Sequence, residues 1–242
     1  MITKQQTAQK IIDFGKTKEV LDTENGFVGQ NEDINRFLKD TPFAYILGVL
    51  YDQWIPAERA WSIPYYIYRE LGHLNVKKIA KMKSSEILEI FERTTKPIHP
   101  LKMARQTINA AKLIVKKYNG NAEIWSDLPR CKDLEYRFKE FDGFGQKKAS
   151  MAVNILMRKW NIDLIDKSGI DVSYDVHIGK VFYRTGIIER NEKEEAIFTA
   201  RQLNPKYPGI FDKPCWIIGR KYCFEQNPNC NKCPLKAVCK YN

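Results

Sequence analysis

Phe141-Asp142-Gly143-Phe144-Gly145-Gln146-Lys147-Lys148-Ala149 sets two glycines one residue apart between two helical patterns. Glycine reaches backbone conformations that a side chain forbids, and the run from Ala149 to Met157 repeats its apolar positions at helical spacing. The stretch therefore predicts a helix, a sharp turn, and a second helix starting at Gly145 or Gln146. Such a start leaves N–H groups unpaired at the positive end of a helix dipole, where a phosphate can lie against the backbone itself. An ordinary helix connection that binds nothing carries the same pattern, so its meaning depends on the rest of the chain.

Upstream, Leu134 to Phe141 forms the short helix entering the turn. Before it, Pro100 opens a helix with Ala104, Ile108, Ala111 and Val115 on one face and Asn119-Gly120 as its stop. Ser84-Ser85-Glu86 opens another through Ile87, Leu88, Ile90 and Phe91. Thr41-Pro42 suits the cap and first position of the apolar helix Phe43–Tyr51, which ends at Asp52-Gln53-Trp54-Ile55-Pro56 because the residue before a proline avoids helical geometry. Trp61, Tyr65, Tyr66 and Tyr68 follow on a helical pattern interrupted at Pro64, mostly as core. Residues 2 to 21 hold an amphipathic helix or two, and Glu24-Asn25-Gly26 reads as a turn.

Downstream of Trp160, residues 161 to 173 show little periodicity and read as a surface loop. Helices resume from Val176 to Gly186, with Ser173 or Asp175 to cap the start, then from Glu192 to Leu203 and from Gly209 to Tyr222. No strand, repeat or low-complexity tract stands out.

The 242 residues can bury a real core, and two domains are expected. No apolar run reaches the roughly eighteen residues of a membrane span. Met1 to Gln6 is too polar for a secretory signal, so an intracellular place, in cytoplasm or nucleoid, is expected. Forty Lys and Arg against twenty-nine Asp and Glu leave a formal charge of +11, which makes nucleic acid the first partner to consider.

Four of the six cysteines crowd the C-terminal end as Cys223-x6-Cys230-x2-Cys233-x5-Cys239. In an intracellular chain these are metal ligands before they are disulfides, and four thiolates hold either zinc or an iron–sulfur cluster. Structural zinc usually draws on two short Cys-x2–4-Cys knuckles, and here Cys230 and Cys233 make just one, which favours a [4Fe–4S] cluster. Cys131 and Cys215 fall outside the pattern and read as buried thiols.

The cysteine spacing, with Gly219-Arg220 leading into its first member, resembles the iron–sulfur loop of the endonuclease III and adenine glycosylase branches of the helix–hairpin–helix DNA glycosylases. Phe141 to Ala149 is similar to that family's Leu-Pro-Gly-Val-Gly-x-Lys-Thr-Ala hairpin, with Phe141-Asp142 in place of Leu-Pro and Lys148 in place of Thr. Tyr174-Asp175-Val176-His177-Ile178 looks like its Val-Asp-Thr-His-Ile segment. The resemblance runs from about Phe43 to the C-terminus, and three motifs in this order rarely coincide by chance.

By position, Lys147 corresponds to the lysine that makes bifunctional members glycosylase and lyase at once, and Asp175 to the catalytic aspartate. An amine can attack the sugar C1′ and displace the base, while a carboxylate stabilises the cationic sugar. The lysine must attack as the free amine, which repulsion from Lys148 would favour. Adjacent helical residues point about 100° apart, so one of the two lysines faces the site, and motif position selects Lys147. Gly143, Phe144, Gly145, Gln146 and Lys148 are the expected DNA contacts of the hairpin. Gln53 resembles the family's wedge glutamine, which fills the gap left by an extruded base, with Trp54 the less favoured wedge. His177 reads as a supporting or core residue. The spacing from Lys147 to Asp175 exceeds the family's, the surplus lying in residues 161 to 173.

The resemblance thus implies an all-α, two-domain fold: a six-helix barrel-like domain over residues 43–157, ending in the hairpin, and a second domain from residues 1–42 and 158–242, with the iron–sulfur loop at 223–239 and an active-site cleft between. The implied function is excision of a damaged or mismatched base from duplex DNA by a monomer, with lyase activity. The alternatives are a monofunctional glycosylase for uracil, thymine mismatches, alkylated bases or adenine, and a non-catalytic iron–sulfur DNA-binding protein.

Overall fold

The computed structural model describes residues 2–25 and 31–241, with the side chains of residues 23–25 outside that description. The turn expected at Glu24-Asn25-Gly26 reaches beyond the described residues. In chain order the helices are α1 (Lys4–Gly15), α2 (Lys18–Asn25), α3 (Glu32–Asp40), α4 (Pro42–Tyr51), α5 (Ala57–Leu71), α6 (Val76–Ile79) and α7 (Ser84–Arg93). There follow α8 (Pro100–Lys117), α9 (Cys131–Lys139), α10 (Gln146–Lys159), α11 (Val176–Arg184), α12 (Lys193–Leu203) and α13 (Asp212–Lys221). The all-α expectation holds: among the described residues the sole β feature is an isolated bridge between Arg130 and Ile165. No described helix is long and apolar enough to cross a membrane.

The chain divides into two compact units, one of Gly26–Pro129 and Tyr136–Lys148, the other of Met1–Asn25, Arg130–Glu135 and Ala149–Asn242. The first, the hairpin unit, is built round α4, whose residues from Phe43 to Tyr51 are all buried. Gly48 lets α5 come this close: a Cβ there would stand 2.5 Å from Trp61 Cε3. Buried Tyr51 shares a 2.6 Å hydrogen bond with Thr107 of α8. The expected interruption at Pro64 does not occur. α5 runs through it, because the proline forgoes one backbone bond while Trp61, Ile63 and Ile67 stay buried on the same helix.

The second, the cysteine unit, packs Ile11, Phe182, Phe211, Ile217, Ile218 and Leu235 into one core. Residues 161 to 173 form a loop, as expected, with Asn161, Asp163, Ile165, Lys167 and Ser168 exposed, but its last part turns inward, contrary to a surface reading, and Val172 joins this core. Ile170 and Val172 are fully buried, the Ile170 carbonyl accepts from Gly209 N at 2.8 Å, and Asp171 takes both arms of the Arg201 guanidinium at 2.6 Å. The periodicity is missing because the segment is extended around a single 3-10 turn at Lys167–Gly169. Cys131 and Cys215 are fully buried thiols, as expected.

Candidate active site

The turn between α9 and α10 is made at Gly143, whose φ of +92° lies in the left-handed region. A Cβ there would stand 2.6 Å from Gln106 Nε2 and 3.0 Å from Leu50 Cδ1, so glycine is required twice over, by conformation and by space. Asp142, which replaces the family's proline, ties the turn to α8 by accepting from Gln106 Nε2 at 3.1 Å and from Asn109 Nδ2 at 3.2 Å. Gly145 differs in kind. Nothing lies within 4 Å of where its Cβ would be, so the backbone entering α10 has open space in front of it.

Phe144 does not offer its ring to a ligand. It is 6% exposed and stacks on Phe138 at 6.0 Å, so it anchors the turn and leaves its backbone as the part that can meet DNA. Lys148 is likewise a correction to the expected phosphate contact. Its side chain is 7% exposed, and its Nζ donates to the Leu50 carbonyl at 2.5 Å and to Gln53 Oε1 at 3.4 Å. Burial lowers its pKa to about 8, against the pull of Asp52 and with help from Lys147 and Lys102. Lys147 and Gln146 are half-buried in the first turn of α10. Lys148 is thus turned inward, whereas the adjacent Lys147 is half-buried at the start of the helix.

After α4 the chain turns within three residues, the Gln53 amide donating to the Tyr51 carbonyl at 2.7 Å. Trp61 Nε1 holds the Asp52 carboxylate at 3.2 Å. Gln53 is half-buried with its amide oxygen toward Lys148, and Trp54 stands 82% exposed.

In the cysteine unit, Asp175 caps α11. Its Oδ1 accepts from His177 N and Ile178 N, both at 2.9 Å, which fixes the carboxylate rigidly at the positive end of the helix. Both bonds fall on the one oxygen, Oδ1. His177 is half-buried against Gly219 of α13, where a Cβ would come within 2.6 Å of the His177 Cβ, and burial lowers its pKa. The glycine of the Gly219-Arg220 pair is thus what lets α13 lie on α11. Sequence reasoning missed the support behind this cap. Buried Asp212 accepts from Ser173 N at 2.8 Å, Ser173 Oγ at 2.7 Å and Asn154 Nδ2 at 2.8 Å, and so holds the backbone two residues before Asp175. Burial raises its pKa to about 6. Lys147 belongs to one unit and Asp175 to the other.

The four C-terminal cysteines are all half-buried. Burial pushes the Cys233 and Cys239 thiols up, and the neighbouring thiols push the same way, so the set shares one neighbourhood. Among the described residues, no three His, Cys, Asp or Glu close around a point that could hold a metal ion. A single tetrahedral zinc needs every sulfur about 2.3 Å from one centre, whereas a cubane takes its thiolates at four separate corners. Arg184, 8% exposed, stands with Nη1 3.5 Å from Cys223 Sγ and donates to the carbonyls of Phe224 at 2.6 Å and Glu225 at 3.1 Å. Its own carbonyl lies 3.4 Å from Cys239 Sγ. A buried cation beside Cys223, with Cys239 against its backbone, suits a cluster whose thiolates bring net negative charge, so the donor set fits the group. No local signal marks Arg184, since Cys223 is 39 positions away.

No protein-family model matches the chain. Endonuclease III of Thermotoga maritima is 22% identical over 166 residues, covering 68% of each chain. A trapped endonuclease III–DNA covalent intermediate and a non-covalent endonuclease III–DNA complex each superpose with a TM-score of 0.71 at 18% identity, over 100% of this chain and 97% of theirs. A thermostable thymine-DNA glycosylase gives 0.66 at 14% identity, over 98% of this chain and 96% of that one. The glycine turn, the capping aspartate and the superpositions agree on one point: the chain has an endonuclease III-like helical fold.

Proposed function

We propose that the protein is a DNA base-excision repair glycosylase that also cleaves the strand, removing a damaged or mismatched base from duplex DNA. The observation that carries this reading is the register of α10: Lys148 is turned inward and bonded, while Lys147, at the position of the family's nucleophile, is half-buried in the first helical turn and not drawn into that bond. The capped Asp175 supports it as the fixed carboxylate, and the open backbone at Gly145 supports a phosphate lying between Gly143 and Gln146.

In this reading Lys147 Nζ attacks C1′ as the free amine, and the glycosidic bond breaks with its electron pair leaving on the base, which takes up a proton. Asp175 stabilises the positive charge that develops on the sugar. The C1′–O4′ bond then breaks, O4′ taking up a proton given up by the nitrogen, and the opened sugar is held as an iminium between Nζ and C1′. Loss of a proton from C2′ expels the 3′ phosphate, cutting the strand, and water then returns the amine. The protein acts as a monomer inside the cell on duplex DNA, with Gln53 in the loop that meets the duplex. Cys223, Cys230, Cys233 and Cys239 would hold a [4Fe–4S] cluster, which would tie the C-terminal loop together. Purified under argon the protein is expected to be brown, and a colourless preparation containing zinc would remove the cluster from the reading.

Borohydride should trap the wild-type protein covalently on duplexes carrying an abasic site, and Lys147→Ala should abolish the trapping. Undiminished trapping by Lys147→Ala overturns the assignment. Across a panel of duplexes with one lesion each, base release together with nicking supports the bifunctional reading. Release without nicking points to a monofunctional glycosylase, and neither points to a DNA-binding protein without chemistry.

A further inference from the structure

We propose that Trp54, and not Gln53, is the side chain this protein inserts into the DNA stack, where its indole stacks in the gap opened by the extruded nucleotide. The inference deepens the base-excision reading and rests on it.

Trp54 is the most exposed large hydrophobic residue described, at 82%. Its φ of +63° lies in the left-handed region, which a non-glycine residue enters at a cost of roughly 1–2 kcal/mol and keeps when its surroundings dictate it. The residues leading into Trp54 are held one after another. Trp61 Nε1 holds Asp52 at 3.2 Å, the Gln53 amide closes onto Tyr51 at 2.7 Å, and Lys148 pins the Leu50 carbonyl at 2.5 Å. A strained, anchored loop that presents the largest aromatic side chain to water gains nothing for folding from that side chain. Its gain comes on binding a flat partner, and a nucleobase stacked on an aromatic ring is such a partner.

Gln53 is disfavoured for the same role by its own bonding. Its amide oxygen faces the Lys148 ammonium at 3.4 Å, and it is half-buried, so insertion would require it to leave a cation. Lys148, where the hairpin family has threonine, thus explains the exchange: the amine that anchors the loop draws the glutamine inward and leaves the next residue as the tip. The loop is also tied to the phosphate-binding turn of the same unit, because Leu50, whose carbonyl Lys148 holds, has its Cδ1 3.0 Å from where a Gly143 Cβ would be. The turn and the indole are therefore positioned by one side chain.

The test uses a duplex with a tetrahydrofuran abasic analogue facing 2-aminopurine, which cannot react and so reports binding alone. Wild-type protein should quench the 2-aminopurine as the indole stacks on it. Trp54→Ala should lose the quenching and about tenfold in affinity, the scale of one base–aromatic stack, Trp54→Phe should recover part of both, and Gln53→Ala should stay within about twofold. Trp54→Ala matching wild type in both signals, or Gln53→Ala carrying the loss, overturns the proposal. Borohydride trapping on a natural abasic site reports Lys147 separately. Trapping with a Trp54-independent affinity defeats the wedge alone, absent trapping with a Trp54-dependent affinity defeats the enzymatic reading alone, and no preference for the abasic duplex defeats both.

Discussion

The Lys148 ammonium donates to the Leu50 carbonyl at 2.5 Å, and this bond commits one of two adjacent lysines to the interior of its unit. The last turn of α4 has carbonyls without helical partners, and the amine satisfies one of them from inside the unit. What the bond provides in place, it takes back in charge: a buried ammonium has lost most of its hydration.

Stability should therefore rise with pH in the alkaline range through this residue. The folded pKa, about 8, lies below the unfolded value of 10.5, so the folded state binds fewer protons between them. The contribution is full above 10.5 and is lost as pH falls through 8, with a ceiling of about 3 kcal/mol. Denaturant unfolding of wild type and Lys148→Met at intervals from pH 7 to 10.5 measures it. The wild type should gain on the variant across that range, and parallel profiles would show that the amine is not desolvated.

The two hairpin glycines should respond differently to the same methyl group. Gly143→Ala forces a left-handed alanine against Gln106 and Leu50 and should cost about 2 kcal/mol or more in unfolding free energy. Gly145→Ala meets open space without a left-handed backbone, so its stability should stay within about 0.5 kcal/mol of wild type. Its Cβ would nevertheless occupy the place proposed for a phosphate, so DNA affinity should fall with folding intact. Titration of a fluorescent duplex beside thermal melts separates the two effects, and unchanged affinity in Gly145→Ala would mean that the phosphate lies elsewhere.

The glycine turn, the Asp175 cap and the cysteine cluster could be read from sequence because each acts on its immediate neighbours: a positive φ, two N–H groups within three residues, a dense set of thiols. What could not be read depends on distant partners. Lys148 looked like a phosphate contact because the carbonyl that claims it is 98 positions away. Pro64 looked like a helix break because local cost is visible and the burial that offsets it is not. Residues 161 to 173 looked like surface because extended chain has no helical period, even where Ile170 and Val172 are core. Asp212 gave no signal, since an aspartate at a helix start is ordinarily exposed.

Asp175 combines a cap and a proposed catalytic charge, and two substitutions divide them. Asparagine keeps an oxygen that can accept from His177 N and Ile178 N, so Asp175→Asn should melt near wild type, whereas Asp175→Ala should lose about 1 kcal/mol. Both remove the negative charge, so both should release base at least about a hundredfold more slowly, the scale of one well-placed electrostatic stabiliser. Single-turnover base release with melting curves on both variants gives the answer, and full activity in Asp175→Asn would reduce the residue to a cap.

Asp212 predicts the opposite sign at the acid end. Its folded pKa, about 6, lies above the usual 3.8, because burial disfavours the carboxylate more than Ser173 and Asn154 favour it. The folded state thus holds the proton more tightly. Its contribution is full below 3.8 and is lost as pH rises through 6, up to about 3 kcal/mol between the two. In Asp212→Asn this slope should vanish, so the stability difference between wild type and variant should change across pH 4 to 6 and stay level above 7. The same ionisation bears on the site, because the carboxylate holds both Ser173 N and Ser173 Oγ just before Asp175. Base release by wild type should show an inflection near pH 6 and lose rate below it, and Asp212→Asn should lose that inflection while keeping the trapping that depends on Lys147. A pH–rate profile identical in the two proteins would confine Asp212 to the core.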